Sequence, residues 1–378
     1  MKNKILITGG AGFIGSNLAN VLIGKGYFVR VLDNLTTQIH GEDPEGSQLY
    51  RSLHSKVEFI RGSVTNRDDL AKALFGIDTV VHLAAETGTG QSMYAIRHYS
   101  DVNIGGTALL LDLIANEPFP VKKIVVASSR AVYGEGKYRC ALHGSVYPVA
   151  RRAIDMGNGN FEVHCPFCNN VVTTLPTSED SLLSPASVYG ITKLNQEQMV
   201  LTVGRAIGIS ALAFRYQNVY GPGQSLSNPY TGILSIFSTR ILNGNSINIF
   251  EDGKESRDFV YIDDVIAATV KGIEEDAPLI TALNVGSGVA TDVLTIANTL
   301  KQLVGLSVPI KISGQFRLGD IRHNVADLCS VRTILGFEPE VFFEEGLRRF
   351  VDWVRGQQIQ ADRYEESLVQ LKARGLFK

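Results

Sequence analysis

The chain reads as an α/β protein: a doubly wound parallel sheet, a smaller α/β domain after it, and a cysteine-rich insertion. Three observations lead there. Short β-branched runs alternate with helical patterns through the first half, a glycine-rich turn joins the first strand to the first helix, and residues 137–178 interrupt the rhythm while holding three of the four cysteines. Strands that alternate with helices make a parallel sheet covered on both faces. The 378 residues amount to about two domains on a prior of ~150 residues each. With 44% hydrophobic residues there is ample material for cores, which excludes a disordered chain, a collagen-like repeat or a disulfide miniprotein.

Taken in order, Ile5-Leu6-Ile7-Thr8 is a buried strand, and Ile14, Leu18, Val21 and Leu22 then fall on one helical stripe. Val29–Asp33, Val57–Ile60, Thr79–Leu83 and Lys123–Ser128 continue the strands, with helical stretches between them. After the insertion a helix runs from Val188 to about Arg205, and Ser210–Phe214 forms another strand. From Tyr216 onward the texture is looser, with a helix at Leu294–Val304 and a charged, amphipathic tail from Ala361 to Lys378 expected to be a surface helix. The division expected is 1–215 for the first domain, insertion included, and 216–378 for a second, discontinuous one.

Thirty-six basic against 38 acidic side chains leave a formal charge of -2, so no global field attracts nucleic acid or an anionic membrane. Any phosphate must be held by local groups. The apolar stretch behind Met1-Lys2-Asn3-Lys4 breaks at Gly9-Gly10, too short for a secretory signal, and no run of ~18 apolar residues offers a membrane span. Four cysteines without an export signal point to a reducing cytoplasm.

Gly9, Gly12 and Gly15 lie between the first strand and the first helix. Glycines at this spacing permit a tight turn, close approach of backbone to a pyrophosphate, and close helix-to-sheet packing, while the helix N-terminus offers free N–H groups to the phosphates. Asp33 closes the next strand, where a carboxylate can bond both hydroxyls of an adenine ribose and repel a 2′-phosphate. No basic residue follows within Asn34-Leu35-Thr36-Thr37, so NAD is favoured over NADP; a turn-capping role is the alternative for Asp33.

Tyr189 and Lys193 stand four apart on a helix and share one face. An ammonium beside a phenol favours phenolate, and bringing a tyrosine from ~10 to ~7 takes ~4 kcal/mol, which Lys193 and an oxidised nicotinamide could jointly provide. Such a phenolate can take a proton from a sugar hydroxyl while hydride leaves the same carbon. Ser129, at a strand end, could bond the same oxygen.

These residues, with Leu83-Ala84-Ala85, Asn103, Ser128-Ser129, Tyr133-Gly134, Arg215–Pro222, Arg257–Val260, Asn284-Val285-Gly286 and Arg317–Asp320, resemble the extended short-chain dehydrogenase/reductases. The nucleotide-sugar epimerases and dehydratases are the nearest members. The resemblance implies a Rossmann-like first domain and a nucleotide-sugar-binding second one. It implies Ser129, Tyr189 and Lys193 as the catalytic triad. It places Phe13, Ile14, Asn34, Ser63, Val64, Leu83, Ala84, Ala85, Asn103, Ser128 and Tyr216 around NAD with the glycines and Asp33. Thr87, Ser129, Asn218, Arg257 and Arg317 would meet the substrate, though Arg257 could instead pair with Asp258 or Asp263. It also implies a homodimer built on helices at Tyr94–Ala115 and Val188–Arg205.

Two departures matter. The family's dehydratases carry Asp-Glu directly after the catalytic hydroxyl residue, where this chain has Arg130-Ala131, so a one-step dehydration is not expected. The acidic residue that usually faces the adenine amino group is Ser63 here.

In the insertion, Cys140-x-x-His143 and Cys165-x-x-Cys168 have the spacing of a four-ligand zinc ribbon, a closed and therefore structural site, with unmetallated thiols as the alternative. His164 could replace His143, and Cys329 reads as a core residue. The insertion together with Ser227–Gly232 resembles bacterial dTDP-L-rhamnose 4-epimerase-type proteins. The expected activity is NAD-dependent 4-epimerisation of a dTDP- or UDP-linked (deoxy)hexose. A 4-ketoreductase with the same triad and a non-catalytic nucleotide-binding protein are the rivals.

Overall fold

Hydrophobic alternation with period two, buried on both sides, builds the centre of the molecule. The computed structural model describes residues 3–230 and 232–378; Met1 and Lys2 of the basic N-terminal run, and Thr231 of the Ser227–Gly232 segment, lie outside the described residues. Seven strands form one sheet: β1 (Lys4–Thr8), β2 (Phe28–Asp33), β3 (Glu58–Arg61), β4 (Thr79–His82), β5 (Lys123–Ser129), β6 (Ser210–Tyr216) and β7 (Ile280–Val285). Their order is β7-β6-β5-β4-β1-β2-β3 and every pairing is parallel. Order reverses between β1 and β4, which opens a crevice at their carboxyl ends. The seventh strand comes from beyond residue 216, so the sheet draws on both halves of the chain.

Side chains alternate between two cores. Ile5, Ile7, Val31, Val81, Val125 and Phe214 face one layer; Leu6, Leu32, Val80, Ile124, Val126 and Ala213 face the other. Helix α1 (Phe13–Gly24) covers the first face through Leu18, Ala19 and Leu22, while Val21, read as part of the same stripe, is exposed. Helices α2 (Gly106–Asn116) and α3 (Val188–Ile207) cover the second.

The helix expected from Tyr94 is not one continuous rod. Short turns at Thr89–Ser92 and Ile96–Tyr99 lead into a π-helical stretch, Ser100–Gly105, before α2 begins. That widened turn carries Asn103, whose amide donates to the Glu86 carbonyl (3.1 Å) and accepts from its N–H (2.7 Å).

The insertion forms a small three-stranded antiparallel sheet, Tyr138–Cys140 between Gly144–Val146 and Thr173–Thr174, with its own core of Tyr138, Val146, Val163 and Val172. Beyond β6, Asn218–Tyr220, Ser256–Tyr261 and Ala290–Asp292 form a second sheet, and Ile247–Ile249 pairs with Ile310–Ile312. Cys329, expected in the core, is exposed: it opens the Cys329–Leu335 helix, whose buried side chains are Val331 and Leu335.

A buried ion pair ties α3 to the sheet. Arg215 on β6 meets Glu197 at 2.5 and 3.0 Å, and Ser128 on β5 donates to the same carboxylate at 2.6 Å. Both charged side chains are under 5% exposed. Removing one partner strands the other charge away from water. Glu197→Ala is therefore expected to cost ~3–5 kcal/mol in urea unfolding, against under ~1 kcal/mol for exposed pairs such as Arg97–Asp101.

Candidate active site

A cavity of about 590 Å³ occupies the crevice beyond the carboxyl ends of β1, β4 and β5, with residues 217–257 as its far side. This is a volume suited to a bound organic ligand. Every residue expected to hold NAD or substrate lines it except Asn103. Asn103 is fully buried behind the wall, bonded to Glu86 and to Thr192 Oγ1 (2.9 Å), and fixes the loop that carries Ala84 to Thr87.

At the β1–α1 turn Gly9 adopts φ +68°, and a Cβ on Gly15 would lie 2.5 Å from the Gly9 carbonyl oxygen. Only glycine lets the helix start so close to the strand. The N–H groups of Phe13, Ile14 and Gly15 have no partner among the described residues, as a phosphate cradle requires. Asp33 Oδ2 accepts from the Ala11 N–H (3.0 Å) and Oδ1 from that of Leu35 (2.8 Å), which aims the carboxylate along the cavity edge. Two amides fill part of its acceptor capacity and leave lone pairs for a ribose. The residues present thus fit a dinucleotide with two free ribose hydroxyls.

Farther along the cavity stand Ser129, Tyr189 and Lys193. Ser129 ends β5. Tyr189 is in the first turn of α3, capped by Ser187, whose hydroxyl accepts from the Gly190 N–H at 3.1 Å. Burial pushes the Tyr189 phenol up, and the Ser129 hydroxyl beside it and the Arg130 charge pull it down. Lys193 Nζ donates to the Ala127 carbonyl at 2.9 Å, and burial pulls it down to about 7. The lysine is held one turn from the phenol, as the spacing required, and an ammonium that gives one N–H to the backbone keeps two more.

On the opposite side, Arg257 donates to the carbonyls of Ser256, Arg322 and Ile321 and pairs with neither Asp258 nor Asp263. Asp258 is occupied instead by the Ser287 and Gly288 amides. Arg317 pairs with Asp320 (2.8 Å) and lies over the Phe250 ring. Thr87 presents its side to the cavity while its carbonyl accepts from Tyr99.

In the insertion, His143 Nδ1 is 3.5 Å from both Cys140 Sγ and Cys165 Sγ, and Cys140 Sγ is 3.6 Å from Cys168 Sγ. The four ligand atoms lie within 4.8 Å of one another. His164 is not part of this group; it bridges to Val171 in the small sheet.

A family model described as the NAD dependent epimerase/dehydratase family matches residues 5–156 and 169–286. The chain belongs to the NAD dependent epimerase/dehydratase family. Among its relatives, the dTDP-L-rhamnose 4-epimerase of Burkholderia thailandensis is 37% identical over 354 residues, 93% of this chain and 94% of that one. The structure of Thermotoga maritima UDP-glucose 4-epimerase with UDP-glucose matches with a TM-score of 0.75 at 30% identity, covering 93% and 99% of the two chains. That of Bacillus cereus UDP-glucuronic acid 4-epimerase with UDP-glucuronic acid and NAD matches at 0.76 and 29%, with the same coverage. The family match breaks at residues 157–168, inside the insertion.

One wall of this epimerase/dehydratase cavity was not foreseen. The tail is the amphipathic helix expected, and its apolar face closes the site: helix α4 (Tyr364–Lys372) buries Tyr364, Leu368 and Leu371, and all three line the cavity. Gln370 Oε1 accepts from Tyr230 (2.6 Å) and Tyr94 (3.1 Å), and residues 376–378 pair with the backbone of 316–318, beside Arg317. The i, i+4, i+7 spacing of Tyr364, Leu368 and Leu371 was visible in sequence; what it packs against was not. Leu371→Ala is expected to cost ~2–5 kcal/mol in urea unfolding, whereas a change under ~1 kcal/mol would show that the helix is not packed against the cavity.

Proposed function

We propose that the chain is an NAD-dependent nucleotide-sugar 4-epimerase acting on a dTDP- or UDP-linked (deoxy)hexose. The observation that carries this is the meeting of Ser129, Tyr189 and Lys193 with the glycine cradle in one cavity. When bound, NAD supplies a hydride acceptor that gives the same hydride back, so the net redox change is zero.

The glycine cradle and Asp33 would hold the cofactor's adenosine end, and Lys193 would meet it farther along the cavity. Tyr189 takes the proton of the C4 hydroxyl as that carbon becomes a ketone, and returns it after the 4-keto sugar has turned over. Ser129 bonds the same oxygen and steadies its position. Arg257 and Arg317, guanidinium forks suited to phosphate, hold the diphosphate while the sugar rotates. Arg130-Ala131 in place of an acid pair supports epimerisation over dehydration, since expelling water needs an added acid and base. The 37% identity to a dTDP-L-rhamnose 4-epimerase supports a deoxyhexose substrate.

Zinc in the insertion belongs to the same reading. Tetrahedral zinc with bonds of ~2.3 Å to sulfur and ~2.0 Å to nitrogen separates its ligands by roughly 3.5–3.8 Å. The 3.5 and 3.6 Å separations among Cys140, His143, Cys165 and Cys168 support that spacing. A homodimer through the Ile96–Asn116 region and α3 is supported by exposed Ile96 and Ile191.

Tyr189→Phe is expected to keep its NAD content and lose ~10²–10⁴-fold in turnover, read by NMR of epimers formed from a panel of nucleotide sugars. Turnover within tenfold of the parent would remove Tyr189 as the base. Purified protein is expected to carry one zinc and to expose one fast-reacting thiol, the exposed Cys329, with the other three released only by chelator. Metal-free protein in which all four thiols react together would dismiss the zinc site.

A further inference from the structure

Arg130 stands where the dehydratases have an acid, and its surroundings give it a use. Gly190 presses the first turn of α3 onto the 130–133 turn: a Cβ there would lie 2.7 Å from the Ala131 carbonyl oxygen. That approach brings together three residues of the cavity lining, Ser129, Arg130 and Tyr189, with the Ser129 hydroxyl beside the phenol and the Arg130 charge acting on it. The guanidinium is anchored at one corner, Nε donating to Asn218 Oδ1 at 2.9 Å. Neither Nη nitrogen has a partner among the described residues, and neither is sealed from the cavity. No carboxylate forms an ion pair with it among the described residues; Asp320 and Glu135 act on it only from a distance, and Arg257 opposes it.

We propose that Arg130 is a catalytic residue whose free Nη fork stabilises negative charge on the Tyr189 oxygen and on the sugar oxygen that exchanges a proton with it. The proposal rests on the reading of Tyr189 as the base. A fixed cation in a site shielded from water stabilises an anion far better than one in solution, and it needs no rearrangement as charge develops. The other groups around Tyr189 share this task with Arg130. Tyr99 is neutral and Ser129 carries no charge. Lys193 gives one of its three N–H groups to the Ala127 carbonyl and, while protonated, adds its own charge one helical turn away. Arg130 remains charged where Lys193 loses its proton, because a guanidinium ionises at a much higher pH than a buried ammonium.

The test uses the enzyme as purified with its cofactor and follows the phenolate absorbance that Tyr189→Phe abolishes. In Arg130→Gln this ionisation is expected about one pH unit or more higher, a tenfold or greater loss of phenolate at fixed pH. Arg130→Lys should recover part of it, with circular dichroism and bound NAD unchanged in both. The acidic limb of the kcat profile should move with the absorbance. A midpoint that stays within ~0.3 pH unit of the parent in Arg130→Gln overturns the proposal. So does a parent titration with no component removed by Tyr189→Phe. A panel of nucleotide sugars that shows no epimer would instead sink the 4-epimerase reading and leave the titration result standing.

Discussion

Backbone crowding at the carboxyl edge of the parallel sheet governs the rest of the molecule. Two helices begin almost in contact with it: α1 against the Gly9 carbonyl and α3 against that of Ala131, each by way of a glycine whose Cβ would collide. The first approach leaves amides free for phosphates. The second sets a phenol, a hydroxyl and a guanidinium on one wall. Because strands of a doubly wound sheet all end on the same side, both arrangements open into the same crevice. The charged seam of Arg215, Glu197 and Ser128 holds α3 to β5 and β6, so the second approach is braced from inside the core.

Burial acts on the site in two opposed ways. Loss of water favours the neutral forms of both Tyr189 and Lys193. The same loss magnifies any charge that remains. A cavity of this kind works only if its walls bring their own ions, and they do: Arg130, Arg257 and Arg317 against Asp33, Glu86, Glu251, Glu255 and Asp320.

Much of this was legible in the sequence because parallel strands and the glycine turn are local signals. Ile5-Leu6-Ile7 had to be buried on both sides, and Gly9, Gly12 and Gly15 could be read directly. Residues that line the cavity were named through the resemblance, and the structure brings them together. Three placements needed long-range information that local sequence does not carry. The amphipathic tail showed a stripe but not the cavity it seals. Cys329 sat in an apolar stretch whose phase put Val331 and Leu335 inward instead. Asn103 was assigned to the cofactor, and the structure shows its amide holding the loop behind the cavity wall, because a polar residue carries no mark in sequence of which side of a wall it occupies.

The insertion is not an independent bead on the surface. Arg151, from within it, forks onto Glu251 in the cavity wall (2.7 and 2.8 Å), and the wholly buried Arg322 joins Glu251 and Asp252 to Glu162 of the insertion. Modularity therefore ends at these arginines. A chimera that grafted residues 137–178 onto another scaffold would leave Arg322 facing fewer anions in its former host and carry an orphaned Arg151 into the new one. Such exchange between lineages can succeed only if both ends of the salt network travel together.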